Sequence, residues 1–223
     1  IMVLFFKSNQ VATGLGLTLV GLGLSSLIGE FLGSQKTELL KPVYFPFLSD
    51  LKFIGPMFFN HDILLYFSIL LTLVLYIFLK FSRAGMILRA VGENHDAAHA
   101  LGYNVQLVRM MAIMFGGACS GLGGAYISLV RVPQWTDGLT AGTGWIALAI
   151  VVFSNWNASK VILGAYLFGG ITVLQLNLQA AGVKIPVEVL SMSPYLVTIC
   201  VLVFISVNGK NSSPGSLGKT FHI

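Results

Sequence analysis

His95 and His99 stand four residues apart in the stretch AVGENHDAAHALG, residues 90–102, with Asp96 directly after the first. Two histidines at that spacing share one face of a helix. With a glutamate after the first they hold zinc beside a general base, as in membrane and soluble metallopeptidases. Here the acid is an aspartate, one methylene shorter, and no third ligand follows nearby. A second set of groups is neutral: Asn9, Gln10, Thr13, Thr18, Ser25, Ser26, Thr143, Ser154, Asn155, Thr172, Gln175, Asn177 and Gln179, all within or beside apolar runs. Amides and hydroxyls there can hydrogen-bond an uncharged polar solute such as a sugar or nucleoside, or satisfy one another between helices. Gln175 and Gln179 are four apart and share a helix face, and amides at that density are costly in lipid. Trp145 can stack on a base or sugar face, or anchor a helix at the membrane interface.

The elements that must carry these groups follow from composition. Of 223 residues, 56% are hydrophobic and 9% charged, against about 25% charged in soluble domains. Too little polar surface remains to cover a water-soluble globule, so the chain reads as an all-α, polytopic transmembrane helix bundle. Its net charge of +5 is scattered singly between apolar runs, which reports membrane orientation and gives no footprint for nucleic acid. Cys119 and Cys200 fall inside apolar runs and read as small buried residues. The opening IMVLFFKSNQ has neither a basic leader nor a small-residue cleavage site. It starts inside an apolar run, and further helices are expected upstream.

A spanning helix needs about 20 mostly apolar residues, and the gaps between charges give six candidates. They lie between Lys7 and Glu30, at 63–79, between Arg109 and Arg131, between Asp137 and Lys160, between Lys160 and Lys184, and between Glu188 and Lys210. The fourth is the weakest, because TDGLTAGTG precedes its apolar part and favours a short or re-entrant element. Lys80, Arg83, Arg89 and Arg109 crowd the segment 80–109, which places it in the cytoplasm by the positive-inside rule. Alternation then puts Lys7, Lys160, Lys210 and Lys219 on the same side, with Arg131, Lys184, Lys36, Lys41 and Lys52 outside. The expected organisation is a membrane domain over 1–209, an outer loop over 34–60, a cytoplasmic segment over 80–109 and a cytoplasmic tail over 210–223. Glycine pairs such as Gly117 and Gly121 predict close helix packing.

No Asp, Glu, Lys, Arg or His lies inside any of the six runs. Ionisable residues at depth usually mark proton relays or catalytic groups, so a proton-coupled carrier and an intramembrane hydrolase both lack their chemistry. Energy for moving a solute must come from elsewhere. On the cytoplasmic side, Glu93 to Leu101 reads as a short helix with Gly92 before it and Gly102 as its C-cap. Such a helix suits a soluble partner as a lever. It suits zinc poorly, since the aspartate is short and the histidines lie outside the bilayer.

RAVGENHDAAHALGYNV resembles the cytoplasmic coupling segment of ABC importer permeases, with its Gly-Glu-Asn start, paired alanines, then glycine. The wider chain resembles the simple-sugar/nucleoside branch of that family. The matching stretches are NQVATGLGLTLVGLGLSSLIG at 9–29, LSDLKFIGP at 48–56, GGACSGLGGAYISL at 116–129, WTDGLTAGTGWIALAIVVFSNW at 135–156 and GAYLFGGITVLQLNLQAAG at 164–182. MSPYLVTICVLVFIS and SPGSLGKTF continue the match at the tail.

The resemblance implies a permease subunit of an ATP-driven importer in a prokaryotic plasma membrane, not itself an enzyme and without a cofactor. Gly92, Glu93, Asn94, Ala97, Ala98 and Gly102 would meet a separate ABC ATPase subunit. A second permease subunit, identical or different, would complete the path. An extracytoplasmic binding lipoprotein would deliver the solute, with 34–60 as its docking loop. Asn9, Gln10, Trp145 and Gln175 are the candidates for lining the path. The chain departs from the family at His95, where proline is usual, and at Thr143, where a basic residue is common. Two alternatives stand beside this reading: a passive channel for neutral solutes, and a metallopeptidase using His95 and His99.

Overall fold

The structure is a computed structural model and describes residues 2–32, 38–44, 46, 59–132, 135–140, 142–182, 186–207 and 213–219. Among these residues every regular element is a helix. In order they are α1 (Gln10–Leu32), α2 (Ile63–Phe81), α3 (Arg83–Glu93), α4 (His95–Ala100), α5 (Val105–Tyr126), α6 (Thr143–Phe153), α7 (Ala158–Ala180) and α8 (Val187–Val207). A π-helical turn, Ile127–Arg131, extends α5. Most of the outer loop 34–60 and half of the tail lie outside the described residues.

α2 shows why these runs become helices. ILLYFSILLTLVLYIFLKF contains neither glycine nor proline, and Asp62 caps its start by accepting from the Leu65 N–H at 2.9 Å. Asp62 is 8% exposed and lies beside Tyr126, where the start of α2 meets the end of α5. At the other end Ser82 adopts an extended backbone and serves two helices. Its N–H donates to the Phe78 carbonyl at 3.1 Å, and its Oγ accepts from the Gly85 N–H at 2.9 Å. The chain therefore doubles back sharply. A Cβ at Gly85 would collide with the Phe78 carbonyl oxygen, so only glycine lets α3 leave α2 this closely.

Among the described residues four helices are long and apolar enough to cross a membrane: Gln10–Phe31, Ile63–Phe81, Val105–Arg131 and Ala158–Ala180. At about 1.5 Å rise per residue each reaches roughly the 30 Å of a hydrocarbon core. α8 is 21 residues long, apolar after Glu188, and contains Pro194. The fourth candidate, expected to be short or re-entrant, is α6, whose 11 residues rise only about 16 Å. Its start is delayed because Gly138 and Gly142 hold left-handed backbone, φ 72° and 81°. Its end is fixed by Asn155 and Trp156, both also at positive φ. Ser154, with no exposed surface, returns its hydroxyl to the Ile150 carbonyl at 2.6 Å.

α7 packs on α2, α6 and α8. Gly164 makes room for the α6 contact, since a Cβ there would lie 2.9 Å from the Phe153 ring. α1 is held near its far end by the loop before α6. Trp135 covers Gly29 and donates to Ser25 at 3.3 Å, while Ser26 donates to Asp137 at 2.6 Å. Among the described residues the other glycine stripes meet no neighbour: at Gly14, Gly16, Gly21, Gly23, Gly116, Gly117 and Gly121 a Cβ would meet nothing within 4 Å. Cys119 and Cys200 are likewise not buried. Large apolar side chains along the spans face outward, Phe31 at 90% exposure among them, as lipid-facing positions do.

Candidate functional site

Among the described residues a buried apolar cluster lies in the short turn of helices between α2 and α5. The buried apolar core is Val91 of α3, Ala98 of α4 and Val105 of α5, with Ile87 and Val108 against it. Three residues punctuate the turn. Asn94 is extended, and its carboxamide oxygen accepts from the N–H groups of Asp96 and Ala97 at 3.1 and 3.0 Å, which caps α4. Gly102, at φ 87°, closes α4: its N–H donates to His99, and the Tyr103 N–H reaches back to Ala98. Asn104 then caps α5 through the Leu107 N–H at 3.0 Å. A six-residue helix has little stability of its own, and it persists here because both ends and one face are held.

The expectation of one helix from Glu93 to Leu101 is corrected in its start. Gly92 and Glu93 belong to the end of α3, and the break falls at Asn94. The paired alanines also divide. His95 and Ala98, three apart, turn inward at 6% and 3% exposure, while Asn94, Asp96, Ala97 and His99 are exposed. The inward turn of His95 brings its Nδ1 within 3.5 Å of Arg109 Nη2 and its Nε2 within 3.6 Å of Asp96 Oδ1. The two histidines thus part company, one buried and one exposed. Among the described residues no group of three His, Cys, Asp or Glu side chains could hold a metal ion.

Sequence reasoning missed two members of this site. Arg109 had been read only as a charge that orients the membrane, yet its guanidinium reaches His95. Ser216 of the tail sits among the ends of α3 and α4 at 5% exposure. Beside them an open cleft of about 950 Å³ runs between the end of α2, α3 and the start of α7, lined among others by Lys80, Arg89, Glu93, Trp156 and Lys160.

The path candidates lie on three helices. The Asn9 side chain accepts from Val11 and Ala12 N–H groups and caps α1, with Gln10 half-buried beside it. Trp145, in the first turn of α6, is 73% exposed. Gln175 donates to Ser191 at 3.3 Å, joining α7 to α8. Thr143, the first residue of α6, donates to the Thr140 carbonyl at 2.7 Å.

Fold and site together define a polytopic helical membrane protein that presents a short, capped helix between two spans. The chain belongs to the family of branched-chain amino acid transport system permease components, whose model matches residues 1–204. It is similar to TsgC13 of Haloferax volcanii, named provisionally as a glucose ABC transporter permease, with 36% identity over 88% of this chain and 66% of that protein. It is also similar to the nucleoside ABC transporter permease NupC of Lactococcus lactis, with 36% identity over 79% of this chain and 56% of that protein. The guanosine ABC transporter permease NupQ of Bacillus subtilis is 30% identical over 88% of this chain and 64% of its own length. The chain therefore spans 56–66% of the length of these curated relatives. No solved structure matches it.

Proposed function

We propose that this chain forms part of the permease subunit of an ATP-driven importer for a neutral polar solute, a nucleoside or simple sugar. The observation that carries the reading is α4, an exposed helix capped at both ends and rooted in the α3–α5 core. Its outward residues Asn94 and Ala97, with Glu93 and Gly102 at its margins, form the docking surface for a separate ATPase subunit. Gly92 and Ala98 belong to the same segment but support it from behind. The end that carries α4 is cytoplasmic, in keeping with Lys80, Arg83, Arg89, Arg109 and Lys160 around it. The segment 34–60 is the docking surface for an extracytoplasmic binding lipoprotein, and a second permease subunit completes the path.

The half-length of α6 supports a solute site. α6 and α7 form a hairpin through Ser154–Asn157 backbone contact, so the first residues of the 11-residue helix stand opposite the middle of the 23-residue one. Half-helices that begin at mid-depth commonly carry the binding sites of transporters. Trp145 lies in that first turn and offers a stacking face for a base or sugar. Gln175, Gln10 and Asn9 supply neutral hydrogen-bonding groups along the same path.

The docking claim is tested by Ala97→Trp, which enlarges an exposed residue and leaves the core untouched. The variant is expected to reach the membrane at normal levels, to lose association with the ATPase and to lose uptake. Normal uptake by Ala97→Trp would remove α4 as the docking element.

A further inference from the structure

The tail crosses the break between α3 and α4 and satisfies both helix ends at once. Every helix leaves its last carbonyls and its first N–H groups without intrahelical partners. At the end of α3 the Gly92 carbonyl accepts from the Ser216 N–H at 3.0 Å, and the Glu93 carbonyl accepts from Ser216 Oγ at 3.3 Å. At the start of α4, Asn94 caps the second and third N–H groups and leaves the first, that of His95. That N–H donates to Ser216 Oγ at 3.1 Å. One serine, more than 100 residues away in sequence, thus completes the caps on both sides of the hinge.

Neighbouring residues hold the serine in place. The Gly215 N–H donates to Glu93 Oε2 at 3.4 Å, and a Cβ at Gly215 would come within 2.7 Å of the Glu93 carbonyl oxygen. Arg109, one turn into α5, donates from Nη2 to the Ser216 carbonyl at 3.5 Å and the Lys219 carbonyl at 3.2 Å. The tail itself turns on Gly218, at φ 73°, with the Lys219 N–H on the Ser216 carbonyl. The Ser216 hydroxyl joins the end of α3 to the start of α4, and the backbone of the same turn ties both to α5 through Arg109.

We propose that Ser216 is a positioning residue that locks the Asn94 hinge, so that α4 moves as one body with α3 and α5 when the ATPase moves it. The inference rests on the reading of α4 as the ATPase-docking helix. Asn94 is the single extended residue between two helices, and its backbone dihedrals are the soft point through which any push on α4 would dissipate. The serine bridges that point from both sides. Its loss leaves α4 folded and exposed, since Asn94, Gly102 and the Val91–Ala98–Val105 core remain, but lets it swing.

The test is Ser216→Ala in the full-length permease, reconstituted with its ATPase and binding protein in liposomes. Three quantities are read: ATPase association, ATP hydrolysis, and solute moved per ATP. Association and hydrolysis are expected to stay near the parent level while solute moved per ATP falls about fivefold or more. Ser216→Thr, which keeps the hydroxyl, should hold the ratio near the parent level. An unchanged ratio in Ser216→Ala, or a loss that follows ATPase association down in proportion, would overturn the hinge lock. Ala97→Trp in the same assay separates the two claims: if it keeps ATPase association, the docking reading fails, whatever Ser216→Ala does.

Discussion

Ala97 and Ala98 are adjacent, chemically identical and opposite in consequence. Ala98, 3% exposed, fills the space between Val91 and Val105, and Ala97 faces outward. Enlarging the buried one overpacks a close-fitting core, which costs about 1–3 kcal/mol or more. Ala98→Trp should therefore lower the melting temperature of the purified permease and its level in the membrane, while Ala97→Trp should change neither. Thermal unfolding in detergent distinguishes the pair. The caps make a second prediction at this scale. Asn94→Ala removes the acceptor for two N–H groups and should cost about 1 kcal/mol. Gly102→Ala places a side chain at φ 87° and should cost about 1–2 kcal/mol. Hydrogen exchange at the α4 amides would read both as faster opening of that helix relative to α5.

At the scale of elements, what could be read from the sequence depended on local chemistry. The long apolar runs between charges were legible as helices, and so was the short sixth element, since TDGLTAGTG places turn residues where a spanning helix would have to begin. The helix α3 was not legible. Its residues fell within the cytoplasmic segment, and Gly85 is there because α3 leaves α2 so closely that a Cβ would strike the Phe78 carbonyl. A close approach of backbone to backbone is a tertiary fact, and a single sequence shows only the glycine. The glycine stripes misled in the other direction, because a small residue permits close packing without supplying a neighbour. α6 supplies the prediction at this scale. If its first turn opens on the solute path, Trp145→Ala should raise the solute concentration needed for half-maximal uptake about tenfold, a stacking contact being worth about 1–3 kcal/mol. ATPase association should not change. An unaltered half-saturation would return Trp145 to the role of an interfacial anchor.

Across the whole molecule the described residues divide into two working regions. One end holds the capped turn, the basic cleft and the tail. The other holds the Asp62–Tyr126 contact and the loop that meets α1 through Trp135 and Asp137. Asp137, which the sequence places at the edge of a run, reaches Ser26 within the apolar part of α1, so the loop before α6 is drawn inward. The tie between Ser216 and His95 spans 121 positions. SPGSLGK reads locally as a turn and nothing more, since which helix end a distant turn caps is decided by the fold. The short helix α4 could be found from its own residues, but its support could not.

The account stands on ATP-driven movement of a neutral solute through this bundle. The most direct measurement is uptake of labelled nucleosides and simple sugars by liposomes holding the full-length permease, its binding protein and either an active ATPase or one disabled in hydrolysis. Uptake against a gradient with the active ATPase, and none with the disabled one, is the predicted result. Equal uptake with both, stopping when the concentrations inside and outside match, would contradict it and make the bundle a passive channel.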